Sequence, residues 1–175
     1  MEIFDLYDKN RSPLGETSER GKPVPKGKYR LVVHVCIINS ENKMLIQQRQ
    51  PFITSWSGLW DITCGGSAVS GETSSIAAER ELSEELGINI SFADLRPSLT
   101  INFDEGFDDI YIVKKDIGIS SLKFQYEEVK TAKWASADEI ISMIKSGEFI
   151  PYHEELIKLI FFMKDKMGTH TREDK

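Results

Sequence analysis

The chain has 175 residues, of which 40% are hydrophobic and 29% charged, with a formal net charge of −6. That balance suits one soluble domain with a sizeable core and excludes a disordered or fibrous chain. The negative charge argues against a nucleic-acid polymer as partner, and no apolar run approaches membrane-spanning length.

The opening residues, Met1 to Asp5, begin acidic and lack the apolar stretch of a signal peptide. Residues 3–8, IFDLYD, alternate apolar and acidic like a half-exposed strand, and Asp8-Lys9-Asn10 reads as a turn. Residues 11–28 are rich in Gly and Pro. They read as a hairpin return or loop, so residues 1–28 are expected to be an extension packed on the main domain, which spans 29–166. Arg20, Lys22, Lys26, Lys28 and Arg30 form a basic cluster, either a solvated face or a contact for a phosphate group.

Tyr29 to Asn39, YRLVVHVCIIN, is a near-continuous apolar run and predicts a buried central strand, with His34 as a satisfied core histidine. Ser40 to Lys43 turns the chain, and Met44 to Arg49 is the partner strand. Residues 50–59 form a loop carrying Trp56. Trp60 to Cys64 predicts a short strand entering Gly65-Gly66, where paired glycines permit close backbone approach to a ligand or metal. Cys36 and Cys64 fit neither a disulfide framework nor a zinc spacing and are expected to be reduced thiols of a cytoplasmic protein.

From Gly66 to Ile88 the chain reads GSAVSGETSSIAAERELSEELGI. Thr73 to Leu86 predicts a helix, with Ser and Thr at its start and Gly87 just past its end. At about 100° per residue, Ala78, Leu82 and Leu86 share an apolar stripe. Glu81 and Glu85 stack on a neighbouring stripe, with Glu84 beside Glu81. Like charges at that spacing destabilise a bare helix, so a compensating hard cation is the natural partner, and Arg80 is placed to neutralise or orient one carboxylate.

Beyond the helix, Leu95 to Asn102 and Asp109 to Lys114 read as strands joined by the acidic connection Phe103 to Phe107. Gln125 to Val129 leads into a strand, Lys130 to Trp134. Ser136 to Glu139 resembles a capping box that opens a helix running to about Lys145. A last helix is expected from Glu154 to Lys166, with Leu156, Leu159, Ile160 and Met163 on its apolar face, followed by a frayed tail over 167–175.

The spacing from Gly66 to Ile88 resembles the Nudix box, G-x5-E-x7-R-E-U-x-E-E-x-G-U with U aliphatic, and every fixed position matches. The resemblance implies an α/β/α sandwich around a mixed sheet, with the box as loop–helix–loop. It implies Mg²⁺ or Mn²⁺ and attack of water on a diphosphate linkage in a nucleoside diphosphate-X type molecule. A diphosphate approaching an acidic helix needs metal ions between them, which agrees with that chemistry. Carried over by position, Glu81, Glu84 and Glu85 are metal ligands and Gly66 lends its backbone carbonyl. Glu72 completes the loop or the metal shell, Arg80 orients a glutamate, and Glu72, Arg80 and Glu84 count among the catalytic residues. The family often draws a further glutamate from a later loop; Glu127 or Glu128 is the first candidate, with Glu128 preferred, and Asp108 or Asp109 the next. Trp56, Trp60, Phe103 and Phe107 are candidates to stack on a base. A homodimer is compatible with the family.

Two alternatives stand beside hydrolysis. The segment up to Trp60 is similar to isopentenyl-diphosphate isomerases, which share the fold. Their catalytic cysteine, however, falls on Gly65 here, one residue from Cys64, and their histidines fall on Ser67 and Arg30. An inactive Nudix-fold binding module is disfavoured by the complete set of box glutamates.

Overall fold

The computed structural model describes residues 2–166 and 168–170. Its elements are β1 (Ile3–Tyr7), β2 (Pro13–Glu19), β3 (Arg30–Ile38), β4 (Met44–Arg49), β5 (Trp60–Asp61), β6 (Cys64–Ser67), α1 (Ser74–Leu86), β7 (Leu99–Phe103), β8 (Gly106–Lys114), β9 (Val129–Ala135), α2 (Ala137–Ser146) and α3 (Glu154–Met163). A short 3-10 turn lies at Ile119–Ser121.

Strand β3 is the apolar run, and it is central because both its faces are buried over most of its length. It pairs in parallel with β8 on one side. On the other side it pairs antiparallel with β6 and, at Ile38, with β4. Strands β5 and β9 extend the sheet from β4, and β7 flanks β8. The sheet is therefore mixed, as the family resemblance implies. Period-two alternation sorts β3 between two helical layers. Val33, Val35 and Ile37 pack with Ala77, Ala78, Leu82 and Leu86 of α1. Cys36 and Ile38 pack with Ile140, Ile157 and Ile160 of α2 and α3. Burying each such aliphatic side chain contributes roughly 1.5–3 kcal/mol, more than any cap. Packing on the sheet therefore holds α1 in place despite its run of glutamates.

Several elements depart from the sequence expectations. The strand expected from Leu95 begins at Leu99, because Pro97 has no N–H to give the ladder. The acidic connection shrinks to Asp104-Glu105, with Phe103 and Gly106 paired across it. Trp60 to Cys64 is not one strand. It breaks at Ile62-Thr63, so that β5 pairs with β4 while β6 pairs with β3 and takes in both Gly65 and Gly66. The fully buried Thr63 bridges the parting strands: its Oγ1 donates to the Leu45 carbonyl at 2.6 Å and accepts from Ile37 N at 2.9 Å. Helix α3 ends at Met163; of the predicted stripe Ile160 is buried and Leu156 packs half-buried against the core, but Ile157 and Phe161 turn inward in place of Leu159, which is exposed. Of the expected frayed tail, residues 168–170 carry no helix or strand, and Met167 and residues 171–175 lie outside the described residues.

Residues 3–19 form a hairpin, and it is fastened at two places. Tyr7 and Tyr29 exchange backbone hydrogen bonds at 2.8 and 3.0 Å. Arg11, in the tight turn, reaches 98 positions along the chain to Asp109 of β8 and donates twice to its carboxylate, at 3.0 and 2.7 Å. Burial alone would raise the Asp109 carboxyl, but bonds from Arg11, Thr100 and Ser74 outweigh it and hold the group below its ordinary value. A depressed carboxyl contributes stability above its unfolded pKa and loses it as pH falls through the folded one. Arg11→Ala is therefore expected to cost about 1–3 kcal/mol near pH 7, as removal of charged hydrogen bonds from a buried carboxylate does. The difference should shrink as pH falls below about 4. Urea unfolding of both proteins across that range measures it.

Candidate active site

The box folds as a loop, a helix and a second loop. Thr73 caps α1, its Oγ1 accepting from Ile76 N, and Gly87 closes the helix with φ of 67° in the left-handed region that glycine favours. The helix thus begins and ends where the spacing predicts, and it carries Glu81, Glu84 and Glu85 to one cleft. The floor of that cleft is β6. A Cβ placed on Gly66 would stand 2.0 Å from Glu81 Oε1, so only glycine lets the carboxylate lie against the strand.

Arg80 is the hub. Its Nε donates to Glu72 Oε1 at 2.8 Å and its Nη2 to Glu72 Oε2 at 3.0 Å. Its Nη1 donates to Glu81 at 2.9 Å and to Glu84 at 3.1 Å, and its Nη2 also reaches the Ser67 carbonyl at 3.1 Å. The bond to Glu72 is the main reason the guanidinium is raised further above its already high pKa. Glu72 in turn accepts from Val69 N, closing the loop ahead of the helix.

The three helix carboxylates sit in different surroundings. Glu84 is 51% exposed. Glu81 is mostly buried, which pushes its carboxyl up, partly offset by Arg80. Glu85 is only 4% exposed, and burial pushes it well above its ordinary value, with the neighbouring Glu81 charge adding to the shift. Among the described residues its side chain takes one hydrogen bond, from Gln47 Nε2 at 2.6 Å. The other side-chain atom of that amide, Gln47 Oε1, is buried without a partner. No three His, Cys, Asp or Glu side chains among the described residues are gathered closely enough to form a metal cage as they stand, since Arg80 draws Glu72, Glu81 and Glu84 to itself.

Of the later acidic candidates, Glu128 lines the cleft and Glu127 points out to solvent. The loop is held there by the helix: Gln125 N donates to the Glu85 carbonyl at 3.1 Å. Asp109 is taken by Arg11, and Asp108 faces His34 Nδ1 at 2.6 Å. His34 is thus the satisfied core histidine expected. Burial alone would lower its pKa, but the bond to Asp108 leaves it raised. Tyr152 joins it to the buried Asp61, donating to Asp61 Oδ1 at 2.8 Å. Of the basic cluster, Arg20 lines the cleft, paired with Glu2 at 2.7 Å. Arg30 stays outside it, over the Phe103 ring.

None of the four aromatics proposed for stacking lines the cleft. Phe103 and Phe107 border a separate depression of about 430 Å³ beside the turn between β7 and β8. Trp60 lies under Lys133, and Trp56 is exposed on its loop. Gln47 and Arg49 belong to the site and escaped the sequence reading; the signal was a run of polar residues, Gln47-Gln48-Arg49, ending an otherwise apolar buried strand.

This fold and this helix define the Nudix class. The NUDIX domain family matches residues 28–160, and the chain belongs to it. The chain is 42% identical over 170 residues to an uncharacterized Nudix hydrolase of Listeria monocytogenes, covering 97% of this chain and 99% of that one. It is 30% identical over 141 residues to an isopentenyl-diphosphate Δ-isomerase of Pectobacterium atrosepticum, covering 77% and 76% of the two chains. The crystal structure of DR0079 from Deinococcus radiodurans superposes with a TM-score of 0.72 at 23% identity, covering 91% of this chain and 97% of that one. The protein is a Nudix hydrolase, an enzyme acting on pyrophosphate bonds. Among the described residues no helix is long and apolar enough to cross a membrane.

Gly66→Ala tests the floor of the cleft. The new methyl displaces the end of a side chain rather than backbone, so the fold should survive with its melting temperature nearly unchanged. Glu81 would be pushed off the strand, and a misplacement of that size in a catalytic constellation lowers turnover on the order of 10²-fold. Steady-state hydrolysis and a thermal melt of the same preparation check both expectations.

Proposed function

We propose that the protein hydrolyses a diphosphate linkage in a small molecule of the nucleoside diphosphate-X type, using Mg²⁺ or Mn²⁺ held by Glu81, Glu84, Glu85 and the Gly66 carbonyl. The observation that carries this reading is Glu85. A carboxylate so deeply buried, beside a second carboxylate and, among the described residues, without an ion-pair partner, is costly to ionise unless a cation joins it. The donor set is carboxylate and carbonyl oxygen, which suits a hard divalent ion. Gly66, with no Cβ, leaves room for both the carboxylate and its own carbonyl at the strand surface. When bound, the metal neutralises phosphate oxygens and makes a water molecule more acidic.

The chain's own groups divide the remaining work. Arg80 holds Glu72, Glu81 and Glu84 in register so that none needs to be ordered at the moment of reaction. Glu128, on the opposite wall, is the general base that accepts a proton from water. Arg49 stands near it, with Nη1 and Nη2 at 3.8 Å from Asp61 and 3.9 Å from Glu128, beyond hydrogen-bond reach. Those donors remain available to a phosphate. Residues 29–166 are the catalytic domain, residues 1–28 are a hairpin extension packed on it, and the protein works in the cytoplasm.

Isomerisation is the weaker reading. Cys64 is fully buried in the layer beneath α1, and burial pushes its thiol well above its ordinary value, an environment that opposes thiolate chemistry. Cys64→Ala is expected to retain most hydrolysis. A folded Cys64→Ala protein that loses turnover, with wild type isomerising isopentenyl diphosphate, would favour the isomerase.

The main test is Glu81→Gln and Glu85→Gln, each with and without Mg²⁺. Loss of a charged ligand is expected to lower kcat on the order of 10²-fold or more and to remove the stabilisation that Mg²⁺ confers in a melt. Excess chelator should abolish wild-type turnover, and Mg²⁺ or Mn²⁺ should restore it. Near-native kcat and intact metal-dependent stabilisation in both variants would place the metal elsewhere.

A further inference from the structure

Strand β4 buries Met44, Leu45 and Ile46 completely and then places an amide, Gln47, where only 1% of the residue is exposed. Alternation gives the strand two faces. Leu45 packs in the layer with α1, while Met44 and Ile46 pack on the side of α2 and α3. Gln47 follows Leu45 on the α1 side, and Arg49, which lines the cleft, follows Gln47. The backbone is fixed on both flanks at this point, because Gln47 lies opposite Asp61 of β5 and Ala132 of β9.

An apolar residue would fill this position at lower cost. Gln47 Oε1 is buried and finds no partner among the described residues, and an unsatisfied buried acceptor opposes folding. What the amide gains is a single bond, from Nε2 to Glu85 Oε2 at 2.6 Å. That contact differs in kind from the grip of Arg80 on Glu81 and Glu84, which is made by charge. A cationic side chain at position 47 would hold Glu85 more strongly but cancel the charge that a metal ion needs. A neutral donor fixes one carboxylate oxygen and leaves the second oxygen, with the charge, for a cation in the cleft that Glu85 lines.

We propose that Gln47 is the positioning residue for Glu85: it aims the buried carboxylate into the cleft without neutralising it, and so sets the affinity of the site for a divalent cation. This rests on the reading that Glu85 is a metal ligand. A group that hydrogen-bonds a ligand fixes its orientation, and losing such a group typically weakens metal binding about 10–100-fold. The rigid setting of β4 between β5 and β9 makes the amide a fixed reference, so the carboxylate adapts to the strand and not the reverse.

The test reads metal binding rather than turnover. Mn²⁺ is titrated into wild type, Gln47→Met, Glu85→Gln and the double variant, and the free ion is followed by its paramagnetic resonance signal. Methionine keeps the length and fills the buried position but has no donor. Gln47→Met is expected to bind Mn²⁺ on the order of 10-fold more weakly than wild type. In the Glu85→Gln background the same substitution should change the affinity by less than about twofold, because the group it acts through is already altered. A role confined to packing would move the melting temperature and leave Mn²⁺ affinity alone. Gln47→Asn, whose amide is one methylene too short to reach Glu85, repeats the cycle should the methionine variant lack native structure. Wild-type Mn²⁺ affinity in the position-47 variant, with Glu85→Gln weakened, overturns the positioning role and leaves the metal reading standing. An equal loss in both backgrounds also overturns it, since Gln47 would then act elsewhere than on Glu85. Wild-type affinity in Glu85→Gln refutes the metal reading and the positioning role together.

Discussion

Arg80 is the constraint on which the rest of the site depends. One guanidinium satisfies Glu72 with two bonds, touches Glu81 and Glu84, and reaches the Ser67 carbonyl on the neighbouring strand. It therefore ties the loop before the helix, the helix itself and the strand beneath into one unit. Lysine could supply the charge but not the planar fork that meets so many acceptors at once. The arrangement also makes a crowded acidic helix tenable, because the like-charge repulsion falls on groups that share a cation. Glu85 lies outside that arrangement, bonded instead to Gln47.

The sheet supplies the second constraint. Thr63 lets one stretch of chain leave β4 and join β3 within two residues, and that change of partner brings Gly65 and Gly66 under the helix. Each glycine then meets a side chain closely: a Cβ on Gly65 would stand 2.3 Å from the His34 ring, and one on Gly66 2.0 Å from Glu81. The strand is thus thin on both sides where the site is built. His34, Tyr152 and Asp61 form a hydrogen-bonded layer on the other side, which satisfies buried polar groups that would otherwise be costly.

What the sequence made legible follows from range. The box helix, its Thr73 and Gly87 ends, the Ser136 capping box and the β3 run are all local patterns, and each matches the structure to within a residue or two. The relations that escaped are long-range or depend on a choice among equal faces. Arg11 and Asp109 meet across 98 positions, so Asp109 read as a free acid. The segment of α3, ELIKLIFFM, is apolar on more than one side, so composition could not say that Ile157 and Phe161 would turn inward and Leu159 outward. The break at Ile62-Thr63 was hidden because no turn residue marks it; a buried hydroxyl takes the place of a turn.

The distribution of burial along α1 has a consequence for how such a site stays both folded and active. The helix is fixed by aliphatic contacts on its inner stripe, which contribute far more than the glutamates can subtract. That surplus lets Glu85 be held in a buried, destabilising position without melting the helix. Its cost falls on the metal-free state, where burial disfavours the ionised form. A bound cation would remove that cost, so the free energy set against folding reappears as affinity for the ion. Glu84, exposed and paired with Arg80, stores no such cost and can change partners readily. The two carboxylates are adjacent in sequence, yet one is buried and the other half exposed, which would suit a deep anchor and an adjustable ligand for the metal proposed above.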